Sequence, residues 1–126
     1  DLAPLIAEWC EDIGKRREYD EGEGYVTGID GRRLPCDTGK VYTLVNYLIQ
    51  GGAAVIYKRA LSRLDAAGYG DTFIIPVHDE IIMDIPKEDA EQAMIDVPRV
   101  MGDHSMAVGI PADMEGPYDR WGSKYR

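Results

Sequence analysis

The sequence predicts an α+β fold in which antiparallel hairpins pack against helices. Three observations carry this. Two long segments repeat apolar residues at helical spacing, two short runs rich in Ile and Val flank a polar triplet, and an Asp-Gly dipeptide lies between stretches of strand character. At 126 residues the chain has the size of one domain, 1–126, with a single modest core.

Residues Leu2 to about Tyr19 read as a helix, because Leu5, Ile6, Trp9, Cys10 and Ile13 recur on one side and charge fills the other. "DEGEG" breaks it. "YVTGIDGRRLP" then reads as a hairpin, with Asp30-Gly31 supplying the positive backbone angles of a two-residue turn. A long helix follows from Val41 to about Ala67, with Val45, Leu48, Ile49, Ala53, Ile56, Ala60 and Leu64 along one side. Gly51 and Gly52 interrupt it at about 1 kcal/mol each against Ala, so something is expected to approach the backbone there, either another helix or a ligand. Phe73 to Val77 and Ile81 to Ile85 read as strands with His78-Asp79 at the turn, and Pro76 predicts a strand open on one side. "KEDAEQAMIDVPRVM" reads as a helix with acidic residues at its start, where the dipole favours them, and Pro98 is expected to kink or end it. "GIPADMEG" is expected to form a last strand.

Composition is that of a globular protein, 44% hydrophobic and 29% charged. No apolar run approaches the roughly 18 residues of a membrane span, and no signal-peptide pattern opens the chain. The first residue is Asp1, so the start is expected to be processed or the chain to be part of something longer. The net charge of −9 opposes the basic footprint of a stand-alone nucleic-acid binder, although "KRR", "GRR", "YKRA" and "SKYR" are local basic clusters. Cys10 and Cys36 lack metal-ligand spacing and read as reduced thiols in a cytoplasmic protein.

The chemistry concentrates in "FIIPVHDEIIMDIP". A hairpin tip holds a carboxylate rigidly and keeps it wet, which suits a divalent cation such as Mg²⁺ that takes one or two protein carboxylates and completes its shell with water and phosphate. His78 is able to donate to a phosphate or sugar oxygen. The bland alternative is a polar turn capping two apolar strands, and from the local residues both readings stand. A phosphohydrolase of the HD type would use His78-Asp79 as a ligand pair, but that fold is helical and needs a further His upstream. The second histidine, His104, lies downstream.

The order of elements is more specific. A "DGRRLP" hairpin, then "NYLIQGGAA" on a long helix, then "VHDEIIMDIP" resembles the C-terminal third of family A DNA polymerases, the bacterial polymerase I and phage polymerase type. The family's Asn-x-x-x-Gln-Gly-Thr-Ala-Ala segment corresponds to Asn46, Gln50, Gly51, Ala53 and Ala54, and its Val-His-Asp-Glu to Val77–Glu80. The opening helix looks like the one after the fingers, and "MEGPYDRW" like the family's last strand. The resemblance implies a partial polymerase palm and DNA-directed nucleotidyl transfer. It implies Asp79 as one of two catalytic metal-binding aspartates, Glu80 as a neighbouring carboxylate that adjusts metal position, and His78 at the primer end. Gln50 and Asn46 would face the minor groove or the template near the terminal pair, and Arg32 and Arg33 would bind DNA. The implied cofactor is Mg²⁺ in a two-metal site; the implied partners are primer-template DNA, a dNTP held mainly by regions outside this sequence, and the remainder of the polymerase or a complementing subunit. The compact, divergent form points to a phage or prophage source and a bacterial cytoplasm.

Departures are local: Gly52 replaces the family's Thr, Val55 its Asp, and Tyr42 an upstream Arg. No segment resembles the family's Asp-Tyr-Ser-Gln-Ile-Glu motif or its nucleotide-binding helix, so the isolated chain is predicted inactive. A non-catalytic binding module that kept the palm shape is the alternative. The two differ in behaviour, because an open strand edge beside Pro76 favours self-association and an evolved module stays monomeric.

Overall fold

The computed structural model describes residues 3–15, 18–20, 23–36, 40 and 43–125. They fall in two compact units, Asp1–Val55 and Ile56–Arg126. The α+β class holds in both.

In the first unit, helix α1 spans Ala3–Lys15. It ends before the expected Tyr19 because the apolar stripe stops at Ile13. Glu18–Asp20 instead form strand β1, antiparallel to β2, Glu23–Thr27. Pairing with a ready strand edge outweighs local helix preference in a polar segment. β2 pairs in turn with β3, Arg33–Cys36, giving the order β1-β2-β3.

The β2–β3 loop differs from the expected two-residue turn. The Gly28 amide donates to the Arg32 carbonyl at 2.8 Å and the Gly31 amide to the Gly28 carbonyl at 3.0 Å, so residues 29–31 form a three-residue loop. Gly31 alone carries a positive φ there, +80°, so Asp30 is spared the left-handed region. The Asp30 carboxylate instead accepts from the Arg32 amide and side chain, which holds its pKa below the ordinary range.

The core of this unit is Ile13, Val26 and Leu44, with Leu34, Val45 and Leu48 against it. Of the stripe expected on α1, Ile13 is buried and Cys10 half-buried, whereas Leu5, Ile6 and Trp9 stay exposed. Helix α2 spans Thr43–Leu64 without a break at Gly51-Gly52. The expected side holds in part: Ala60 and Leu64 are buried and Val45 and Leu48 pack on the core, but Ile49 and Ala53 face solvent, while Leu44 and Val55, outside the expected stripe, are buried.

In the second unit, α2 gives way to a single π turn, Asp65–Tyr69, and a 3₁₀ turn, Gly70–Thr72, with Gly68 reversing the chain at φ +94°. Strands β4 (Phe73–Val77) and β5 (Glu80–Met83) pair antiparallel with a bulge between Phe73 and Ile75. Helix α3 spans Ala90–Met101. Leu64, Ala93 and Val97 form the core, covered by Tyr69, Phe73, Ile81, Met83, Ile85 and Met114.

Pro98 does not end α3, which runs on to Met101. The carbonyls that close it are taken by Arg63, which donates to Met101 at 2.7 Å, Val100 at 3.0 Å and Gly102 at 3.3 Å. A cation at a helix C-terminus also complements the dipole. The expected last strand is reduced to one bridge, Asp103 with Ile110; Pro111 and Pro117 lack the amides a longer ladder needs.

Asp103 is nearly buried and accepts from the Ser105 hydroxyl at 2.6 Å and the Ser105 amide at 2.9 Å. These bonds, chiefly the hydroxyl's, hold its pKa below the ordinary 3.8, with Arg63 and Arg59 adding to the effect and burial opposing it. A carboxylate whose folded pKa is depressed stabilises the fold above its unfolded pKa, and that contribution is lost as pH falls through the folded value. Acid titration monitored by circular dichroism is therefore expected to show stability falling below about pH 4, with a flatter profile in Asp103→Asn. An unchanged profile in that variant would remove Asp103 from the acid transition.

Candidate active site

The apolar runs around His78-Asp79-Glu80 are anchored from below. Phe73, Ile81, Met83 and Ile85 pack on the Leu64, Ala93 and Val97 core, and the strands register Val77 opposite Glu80. That register leaves His78 and Asp79 as a two-residue loop. His78, Asp79 and Glu80 are all exposed. His78 has φ +53°, the left-handed region in which histidine is tolerated better than bulkier or branched residues. The tip is thus a strained polar loop on a rigid apolar stem.

Two contacts brace it. The Tyr57 hydroxyl donates to the Glu80 backbone carbonyl at 2.6 Å. Desolvation, reinforced by the negative charge of Asp79, pushes the Tyr57 pKa above the ordinary tyrosine value, so the phenol keeps its proton and remains a donor. Lys124, in a C-terminal 3₁₀ turn (Trp121–Tyr125), reaches Glu115 at 3.0 Å and Glu80 at 3.5 Å. The hydrogen bond to Glu115 is the main cause of its raised pKa, burial opposes the rise, and the charges of both carboxylates add to it. Neither residue is apparent from sequence spacing. The signal for Tyr57 is an aromatic ring on the long helix, whose hydroxyl needs a partner once desolvated. Lys124 carried no signal.

Asn46 and Gln50 lie one helical turn apart on α2 in the first unit, both exposed. Behind Gln50, a β-carbon built on Gly51 would meet Leu34 Cδ1 at 3.6 Å and one on Gly52 would meet Ile29 Cδ1 at 3.8 Å, both ordinary contacts. The neighbour is the β2–β3 hairpin, not a second helix, and its packing leaves room for a methyl group. Gly51→Ala is therefore expected to stabilise the chain by about 1 kcal/mol through helix propensity, read by urea unfolding. Destabilisation would mean that Leu34 cannot yield. Arg32 pairs with Asp30 at 2.7 Å, and the Arg33 guanidinium lies 4.6 Å above the Tyr25 ring.

Among the described residues, no cluster of three or more His, Cys, Asp or Glu is arranged to hold a metal, and no helix is long and apolar enough to cross a membrane. Asp79, an exposed carboxylate on a rigid tip, fits the description of one ligand in a site completed by other groups.

A sequence profile of DNA polymerase family A matches residues 4–123. The chain belongs to DNA polymerase family A. Similar proteins include the DNA polymerase of Mycobacterium phage L5, 35% identical over 91% of this chain and 20% of that protein, and that of Mycobacterium phage D29, 36% identical over 81% and 17%. DNA polymerase I of Bacillus caldotenax is 32% identical over 91% of this chain and 14% of its own length. The chain thus spans a fifth or less of these relatives. Membership in DNA polymerase family A, with the pair on a β-hairpin, sets aside the helical HD-type phosphohydrolase. Tyr42, the departure at the head of the long helix, lies outside the described residues, as do Arg16, Arg17 and Arg126 of the basic clusters.

Proposed function

We propose that the chain is the C-terminal palm segment of a DNA-directed DNA polymerase and that Asp79 supplies one of the two aspartates of its Mg²⁺ site. The observation that carries this is an exposed aspartate on a two-residue tip held by an apolar hairpin, in a chain whose family profile spans nearly all of it.

On this reading Mg²⁺, when bound, lowers the pKa of the primer 3′-hydroxyl and offsets charge on the triphosphate. Asp79 holds the cation at the tip. Glu80, within reach of Lys124, adjusts the local charge and is not a principal ligand. His78 donates to a primer phosphate or sugar oxygen. Asn46 and Gln50 present amides to minor-groove acceptors, which are alike in every base pair and so report pairing shape and not sequence. Arg32 and Arg33 neutralise phosphates, Arg32 while sharing its charge with Asp30. Gly51 and Gly52 face the β2–β3 hairpin, so Gly51→Ala is expected to leave primer-template affinity unchanged.

The dNTP site, the second aspartate and most of the DNA surface belong to the remainder of the polymerase or to a complementing subunit. Exposed Leu5, Ile6 and Trp9 on α1, and Ile74 and Ile75 on β4, support such a partner, since grouped apolar exposure marks interaction surfaces. The β4 edge beside Pro76 is also where isolated chains would self-associate. This exposure favours a segment of a larger enzyme over a self-sufficient, non-catalytic module. The setting proposed is a bacterial cytoplasm, including that of a phage-infected cell.

The test is primer extension with Mg²⁺ and all four dNTPs. The isolated chain is expected to be inactive, and the complete protein bearing it active. Robust extension by the isolated chain, abolished by Asp79→Ala, would overturn the divided site; an inactive complete protein would overturn the polymerase reading.

A further inference from the structure

We infer that Tyr57 is a positioning residue for the catalytic tip, its hydroxyl fixing the backbone that carries Asp79. This rests on the polymerase reading of the tip given above. Asp79 lies between His78, in the left-handed region, and Glu80, which closes the loop opposite Val77. A strained backbone persists only where its surroundings over-determine it. The stem does part of this through Ile81 and Met83, but it ends at the closing pair. At that pair, the Tyr57 hydroxyl reaches the Glu80 carbonyl at 2.6 Å, across 23 residues of sequence.

Tyr57 is suited to this by its place on the helix. Its ring is half-buried on α2, one turn before fully packed Ala60 and two before fully packed Leu64, so the donor is held by a rigid element. Desolvation strengthens the bond. The Glu80 carboxylate is engaged separately by Lys124, so the backbone and side chain of this residue have different anchors. The tether therefore acts on the Glu80–Ile81 peptide, one residue beyond Asp79, without competing for the Asp79 carboxylate. Removing the hydroxyl lets the tip sample more positions and lowers the fraction in which Asp79 is placed to bind a cation.

The test compares Tyr57→Phe and Asp79→Asn in the complete polymerase with primer-template bound. Mn²⁺ affinity is measured by electron paramagnetic resonance, and amide hydrogen exchange is followed at residues 78–81. Tyr57→Phe keeps the ring and its packing. It is expected to weaken Mn²⁺ binding about tenfold, the scale of an outer-shell contact, and to speed exchange at the tip alone, with primer-template affinity unchanged. If Asp79→Asn weakens Mn²⁺ binding while Tyr57→Phe changes neither readout, Tyr57 is packing and the inference fails. If the exchange increase spreads through β4, β5 and α3, the role is general stability and the inference also fails. If Asp79→Asn leaves Mn²⁺ binding intact, the metal-site reading falls and takes the inference with it.

Discussion

Asp79→Asn in the complete polymerase is expected to slow nucleotidyl transfer by about three orders of magnitude, on the order of 4 kcal/mol of transition-state stabilisation. The substitution keeps size and one carbonyl-type oxygen, removes the charge and turns the second oxygen into an NH₂ donor that cannot ligate a cation. Because Asp79 is exposed at a loop tip, no packing is lost and the fold is expected to be unchanged. Single-turnover extension at saturating dNTP isolates the chemical step. Primer-template affinity is expected to stay within about twofold, since Asn46, Gln50, Arg32 and Arg33, residues proposed to contact DNA, are untouched. A loss below about tenfold would remove Asp79 from the metal site and leave the tip a polar cap on two apolar strands.

Leu64→Ala is expected to cost about 2–5 kcal/mol, a large share of the roughly 5–15 kcal/mol that holds a domain together. Leu64 is 0% exposed at the end of α2, in a cluster with Ala93 and Val97 that Phe73, Ile81 and Met83 cover. The cavity would lie beneath the hairpin that carries the tip, so looser placement of Asp79 is expected alongside the lower midpoint of urea unfolding. Ile95→Ala on α3, where the side chain is 67% exposed, is the control and is expected to change stability by less than about 0.5 kcal/mol. Equal losses in the two variants would mean that the core does not sit where Leu64, Ala93 and Val97 meet.

The tip was legible in the sequence because its determinants are local. Two apolar runs too short for helices, with two polar residues between them, leave few options other than a hairpin, and the His-Asp-Glu triplet sits at its end. The long helix was legible in extent but only partly in facing. Its apolar residues nearly encircle it, so the pattern did not single out a side, and Ile49 and Ala53 proved exposed where Leu44 and Val55 are buried. The stop of α1 at Lys15 and the strand at Glu18–Asp20 were missed because β1 exists only by pairing with β2. The loop at 29–31 was misread by one residue because Asp30 prefers an ion pair with Arg32 to a left-handed backbone.

By itself, then, the sequence determined the three main helices, the two hairpins, the polar tip and the family, since periodicity, turn chemistry and motif order are all written over short stretches of chain. The tertiary structure decided which helix faces are buried, that Arg63 rather than a proline finishes α3, and that Tyr57 and Lys124 hold Glu80. Those contacts join residues 23 and 44 positions apart in the cases of Tyr57 and Lys124. Their energy appears only once the chain has folded enough to bring the partners together, and no local pattern records it.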